Sequence, residues 1–215
     1  MAGQDTRERI LEAALELFRE RGFAEATMRD IARQAGVATG LAYYYFKSKD
    51  AIVLAFYQRA RLDLAEQLEA AQQDKRLAAR LQALIETKFE YFKPNRRFLG
   101  ALMSHAADAA NPLSPFSDES RASREFDIAH FERALAETKT TVPSDLAPHI
   151  GKILWFYQMG LILFWIYDRS AHQIRTRQLL EKSLEVVLML IKLSNVPLMK
   201  PARKRVLDII SILAG

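Results

Sequence analysis

The chain has 215 residues, 50% of them hydrophobic and 27% charged, with a net charge of +5. That composition excludes a disordered or collagen-like chain. The absence of cysteine excludes disulfides, thiolate metal centres, iron–sulfur clusters and a cysteine nucleophile. The positive charge is concentrated at the C-terminus, where Lys200, Arg203, Lys204 and Arg205 face only Asp208, while the first 49 residues are nearly balanced. A high pI made this way is no argument for nucleic-acid binding.

Helical periodicity dominates from the start. Ile10, Leu11, Ala14, Leu15 and Phe18 form one apolar face of a helix opened by a capping pair, Asp5 and Glu8, and closed at Gly22. The N-terminus is charged from Asp5 onward and lacks the apolar core of a signal peptide, so the chain is read as cytoplasmic. A short helix is predicted from a Thr27 cap to Ala35 and another over 38–45, with Gly36 in the turn between them. Long helices are predicted over 49–72, 76–92, 95–108, 117–138, 146–169 and 173–194, about nine in all, with prolines punctuating them. An amphipathic segment from Val206 to Leu213 follows. No strand alternation of any length is visible, so the expected class is all-α. The longest uncharged stretch, Ile153 to Tyr167, falls short of the ~20 residues that span a bilayer and is read as a buried helix, with no membrane partner.

The functional signal lies in residues 27–46. Two short helices joined by a tight turn make a helix-turn-helix. Ala32 is small enough for a close crossing, and Gly36 tolerates a positive φ. On the second helix Ala42 and Phe46 fall on one inward face, leaving Thr39, Gly40, Leu41, Tyr43, Tyr44 and Tyr45 on the other sides. A solvated helix face is normally Lys, Glu or Gln, whereas this one is apolar with hydroxyl tips and has to meet something. Its hydroxyls can reach phosphate oxygens, and Leu41 or the rings can touch thymine methyls. A turn glycine between helices also occurs in bundles that bind nothing.

Residues 8–56 resemble the DNA-binding domain of TetR-family transcriptional regulators. The resemblance rests on the Ile10-Leu11-x-Ala13-Ala14-x-x-Leu17-Phe18 run, Gly22-Phe23, and Thr27-x-x-Asp30-Ile31-Ala32. Ala35-Gly36-Val37, Gly40, Tyr43-x-Tyr45-Phe46 and Lys47-Ser48-Lys49 complete it. Two positions depart from the family pattern: Ala38 stands where a capping serine is usual, and Ala42 where leucine is usual, with Leu41 displaced outward. The resemblance implies that Thr27 and Lys49 hold phosphates and that Arg29 reaches a phosphate or base edge, or is solvated surface. It also implies that Thr39, Leu41, Tyr44 and Tyr45 enter the major groove, with Tyr45 alternatively half in the core, and that Tyr43 holds the DNA backbone.

The same resemblance implies two domains: a helix-turn-helix DNA-binding domain over 1–49 and a helical effector-binding and dimerisation domain over 50–215. It implies a homodimer joined through the last two long helices, for which Trp155, Leu163, Leu180, Leu184, Val187, Leu188 and Ile191 are candidates; a plain core helix is the other reading of that apolar run. Two recognition helices must meet major grooves about 34 Å apart, so the DNA partner is expected to be a pseudo-palindromic operator. A small hydrophobic effector is expected to sit among Phe89, Phe92, Leu102, Met103, Phe131, Phe156 and Met159, with His105, His130 and Gln158 as polar anchors; such residues are also ordinary core. His105 and His130 lack carboxylates at ligand spacing, so neither metal nor other cofactor is expected. No phosphate-cradling glycine loop, GxSxG elbow or HExxH motif is present, and no enzymatic activity is expected. The leading expectation is a ligand-released repressor; the alternative is a DNA-binding regulator with no small-molecule ligand, controlled by a protein partner.

Overall fold

The computed structural model describes residues 2–103, 108 and 111–214, with side chains over 3–103, 108 and 111–209. The described residues form ten α-helices and no strand: α1 (Ala2–Arg21), α2 (Met28–Gln34), α3 (Thr39–Tyr45), α4 (Lys49–Ala71), α5 (Leu77–Phe92), α6 (Arg96–Met103), α7 (Arg121–Glu137), α8 (Ala147–Tyr167), α9 (Ile174–Ser194) and α10 (Lys200–Ala214). The expected all-α class with an N-terminal helix-turn-helix is therefore what the chain adopts.

Local chemistry sets the boundaries. α1 ends where Gly22 takes φ +90°, a conformation a Cβ would penalise. α2 begins at a full capping box: the Asp30 amide donates to Thr27 Oγ1 at 3.1 Å, and the Thr27 amide and hydroxyl both donate to Asp30 Oδ2. Gly36 takes φ +65° in the turn. Ser48 caps α4 by accepting the Ala51 amide at 3.1 Å. α6 is described as far as Met103, and Asp108 is not helical, so the helix predicted over 95–108 does not include its last residue. α7 begins four residues later than predicted because Ser114, Ser117 and Ser120 carry their own hydrogen-bonded turns. The basic tail is the first turn and a half of α10, the tenth helix. In it Arg203 pairs with Asp145 at 3.0 Å and donates to the Ser194 carbonyl at 2.6 Å.

By its internal contacts the chain divides into two units, residues 1–65 with 90–124 and residues 66–89 with 125–215. This division is drawn elsewhere than the functional one expected at residue 49. In the first unit Ile10, Leu11, Leu15, Phe18, Ile31, Ala42, Phe46, Ile52 and Phe56 share one core with Phe98 and Leu102 from α6. Phe98 stacks on Phe18 with ring centroids 5.0 Å apart and also meets Phe23 and Phe56. Arg59 of α4 pairs with Glu8 at 2.6 Å and with Glu12, and Tyr91 donates to Asp63 at 2.7 Å.

The second unit is built around α8. Leu154, Trp155, Leu161 and Trp165 are buried with Leu84, Ile85, Phe89, Phe131, Leu180, Leu184 and Ile191. α7 and α8 cross closely at Gly151, where a Cβ would stand 2.6 Å from the Glu132 side chain. α8 is the one described helix long and apolar enough to cross a membrane; it is longer than its uncharged stretch because Ala147–Lys152 also belong to it. Its buried Gln158 donates to Asp127 at 3.0 Å, and Asp127 also pairs with Lys88.

Candidate DNA-binding interface

Only Ala42 and Phe46 anchor α3 fully, being 0% and 2% exposed, and Tyr45 packs partly against the same core. Thr39, Gly40, Leu41, Tyr43 and Tyr44 are all exposed, and Tyr44 most of all at 72%. A Cβ built on Gly40 would meet nothing within 4 Å. Ala38 takes the extended N-cap conformation without a side-chain hydrogen bond, as its residue type requires. The Leu41 amide donates to the Ala38 carbonyl at 2.9 Å, and no side chain caps the amides of Thr39 and Gly40 ahead of it.

Tyr45 is placed differently from its neighbours. Its ring meets Tyr44 edge-on at 5.2 Å, and its hydroxyl lies beside Gly3 at the start of α1. Of its two readings, the structure therefore favours the half-core one. Thr27 and Arg29 are exposed, although the Thr27 hydroxyl is already committed to the capping box. Lys49 is half-buried: its ammonium donates to the Phe23 carbonyl at 2.6 Å and the Ala24 carbonyl at 3.1 Å, above the Phe23 ring. It holds the turn after α1, a contact across 25 residues of sequence that spacing alone does not disclose.

Residues 10–56, the segment holding this face, match the family described as bacterial regulatory proteins, tetR family. Residues 80–211 match the tetracyclin repressor-like C-terminal domain. The chain belongs to the tetR family of bacterial regulatory proteins. The fatty acid metabolism regulator protein of Bacillus subtilis (strain 168) is 34% identical over 79 residues, covering 37% of this chain and 41% of that protein. The chain thus spans less than half the length of that relative. A TetR transcription regulator from Haloarcula marismortui superposes with a TM-score of 0.66 at 21% identity, covering 85% of this chain and 98% of the other. Thermus thermophilus FadR, a TetR family repressor solved with lauroyl-CoA, gives 0.62 at 24% identity, covering 88% and 95%. At these identities the likeness carries the fold.

In this TetR-family chain the described residues expected around an effector are divided between the two units. Phe92 and Leu102 belong to the N-terminal unit, Leu102 in its core and Phe92 packed against it, edge-on to Phe56 at 5.8 Å. Met103 is half-buried and Phe156 is 37% exposed. His105 lies outside the described residues. The second unit holds Phe89, stacked on Trp165 at 5.3 Å, with Phe131, Met159 and Gln158. His130 Nδ1 is 2.8 Å from the Phe126 carbonyl oxygen. Among the described residues no group of three histidine or carboxylate side chains could hold a metal ion. The buried Lys88–Asp127 pair was missed, although Lys88 sits at i+7 from Leu81 and i+4 from Leu84 on the apolar stripe of α5.

The residues expected at the dimer interface also need correction. Trp155, Leu180, Leu184 and Ile191 are 1–5% exposed, so they are core residues of their own unit and have no surface for a partner. Val187 and Leu188 are half-buried. Leu163 is exposed at 43%, and Phe164 and Tyr167 on α8 and Leu179, Val186 and Leu193 on α9 are exposed as well.

The α8–α9 connection is pinned by Asp168. Its carboxylate accepts the Ser170 amide and hydroxyl at 2.9 and 2.7 Å and the Thr176 amide and hydroxyl at the same distances. Burial works against its charge, but these four hydrogen bonds hold its pKa well below the ordinary 3.8. They also fix a turn in which His172 and Gln173 take positive φ. Asp168→Ala leaves buried donors unmet and is expected to cost ~3 kcal/mol at pH 7. A depressed carboxylate pKa stabilises fully above the unfolded value and stops doing so as the pH falls through the folded one. Urea unfolding of both proteins is therefore expected to show the deficit shrinking below pH 3.8.

Proposed function

We propose that the chain is a sequence-specific, homodimeric repressor that leaves a pseudo-palindromic operator when a small hydrophobic effector binds its C-terminal body. The observation that carries the DNA-binding part is the exposed face Thr39–Gly40–Leu41–Tyr43–Tyr44, which the fold does not use. Its hydroxyls suit phosphates, and its apolar surfaces suit thymine methyls. Thr27 and Arg29 supply further contacts from the start of α2. Lys49 serves first by holding the α1–α2 turn in place, and a phosphate role for it requires leaving those carbonyls.

Exposed apolar side chains on α8 and α9 support the homodimer. The effector site is assigned to the second unit, around Phe89, Phe131 and Met159 with Gln158 as a polar neighbour. That lining suits an apolar molecule with one polar end, and lauroyl-CoA, which the Thermus thermophilus repressor holds, is the first compound to try. The cytoplasm is the compartment this function requires.

Selection of genomic fragments by the purified protein at about 150 mM salt, where charge-only binding is weak, tests this reading. A single pseudo-palindrome is the expected product. Tyr43→Ala is expected to weaken binding to every sequence alike and to flatten the salt dependence, whereas Leu41→Ala shifts the preferred sequence. Scattered, salt-sensitive fragments overturn the specific-regulator reading. Release from the recovered site by added acyl-CoA or other apolar compounds then tests the effector.

A further inference from the structure

Helix α8 carries two glycines, and only one has a reason inside the chain. Gly151 lets α7 approach, since a Cβ there would strike Glu132. Gly160 is exposed in the middle of the same helix, and a Cβ on it would meet nothing within 4 Å. Glycine is the poorest helix former after proline, so an unconstrained glycine here weakens the helix with no return in the isolated chain.

Its surroundings say where the return lies. Phe156, Leu163, Phe164 and Tyr167, at i−4, i+3, i+4 and i+7 from Gly160, are all exposed, from 36% to 64%. On α9, joined to α8 by a Tyr157–Ser183 hydrogen bond of 2.7 Å, Leu179, Val186 and Leu193 are exposed at seven-residue spacing. Seven-residue apolar spacing is the pattern of a helix that packs against another helix. The α8 face has no charged residue after Lys152, as the centre of a protein interface requires. It carries protruding rings and a hollow at Gly160 together. Two-fold pairing sets the same patch of two identical copies against each other, and a face that carries both rings and a hollow offers each copy something to fill and something to fill it with.

We propose that Gly160 is the point of closest approach in a homodimer, where the α8 backbone lies in direct contact with a helix of the second copy. This rests on the dimer assigned above and adds the residue that sets the crossing. Filling the hollow would hold the two copies apart while leaving each chain's own fold untouched.

Sedimentation of the full chain across a dilution series, with circular dichroism of each variant, tests the proposal. Gly160→Leu is expected to retain its helix content and to dimerise at least tenfold more weakly, and up to about a hundredfold, as overpacking at a close crossing predicts. Gly160→Ala is expected to be at least as helical as the parent yet to dimerise more weakly. Should the leucine variant fail to fold, the alanine variant decides. A parent chain that is monomeric at every concentration overturns the dimer reading and this inference with it. A parent dimer that both variants match in strength overturns the role of Gly160 alone.

Discussion

Phe98→Ala is expected to destabilise the N-terminal unit by about 3–5 kcal/mol, the usual cost of removing a fully buried phenylalanine ring. Phe98 is 1% exposed and lies against Phe18, Phe23 and Phe56, which come from α1, the turn after it and α4. No small shift closes a hole bounded by three rings on different segments. A loss of that size is comparable to the whole stability of a small domain, so DNA binding should fail with it at moderate temperature. Phe98→Leu keeps most of the volume and is expected to retain both. Thermal unfolding beside operator titration checks this, and a cost below about 1 kcal/mol contradicts the placement of α6 in that core. The same contacts predict that a fragment ending at residue 56, although it contains the entire helix-turn-helix, will not fold stably.

Gly40→Ala is expected to move stability and DNA binding in opposite directions. Nothing in the chain lies within 4 Å of the added Cβ, and alanine is favoured over glycine in a helix by roughly 0.5–1 kcal/mol. The variant should therefore be slightly more stable. The methyl points outward from the first turn of α3, where the DNA backbone or base edges lie in the proposed complex. At a close backbone approach it is expected to weaken operator binding at least tenfold, about 1.4 kcal/mol. Equal affinity in the two proteins would mean that α3 does not approach DNA through this turn.

Much of this architecture was legible in the residues because local chemistry writes it plainly. Thr27 with Asp30, Gly22 and Gly36 each perform the cap or turn expected of them. Where two apolar surfaces compete for one helix, periodicity loses its grip. Trp155 and Phe156 are adjacent and equally apolar, yet one is 2% and the other 37% exposed. The stripe Leu180–Leu184–Ile191 faces inward while Leu179–Val186–Leu193 faces out, turned by roughly 140° about the helix axis at 3.6 residues per turn. Nothing in spacing alone says which stripe meets the core. Phe92 and Leu102 illustrate the same limit, since an apolar face does not declare which core it joins. Lys49 was unreadable for another reason: its partners are backbone carbonyls, which every sequence has.

The sparse anchoring of α3 has an evolutionary consequence. Ala42 and Phe46 hold the helix, while Thr39, Leu41 and Tyr44, the α3 side chains proposed to read DNA, are exposed. In the proposed complex, stability and operator preference are therefore stored in different side chains, so either can drift without taxing the other. A lineage that duplicates this regulator can explore new operators by single substitutions at Thr39, Leu41 or Tyr44 while keeping a folded intermediate at every step.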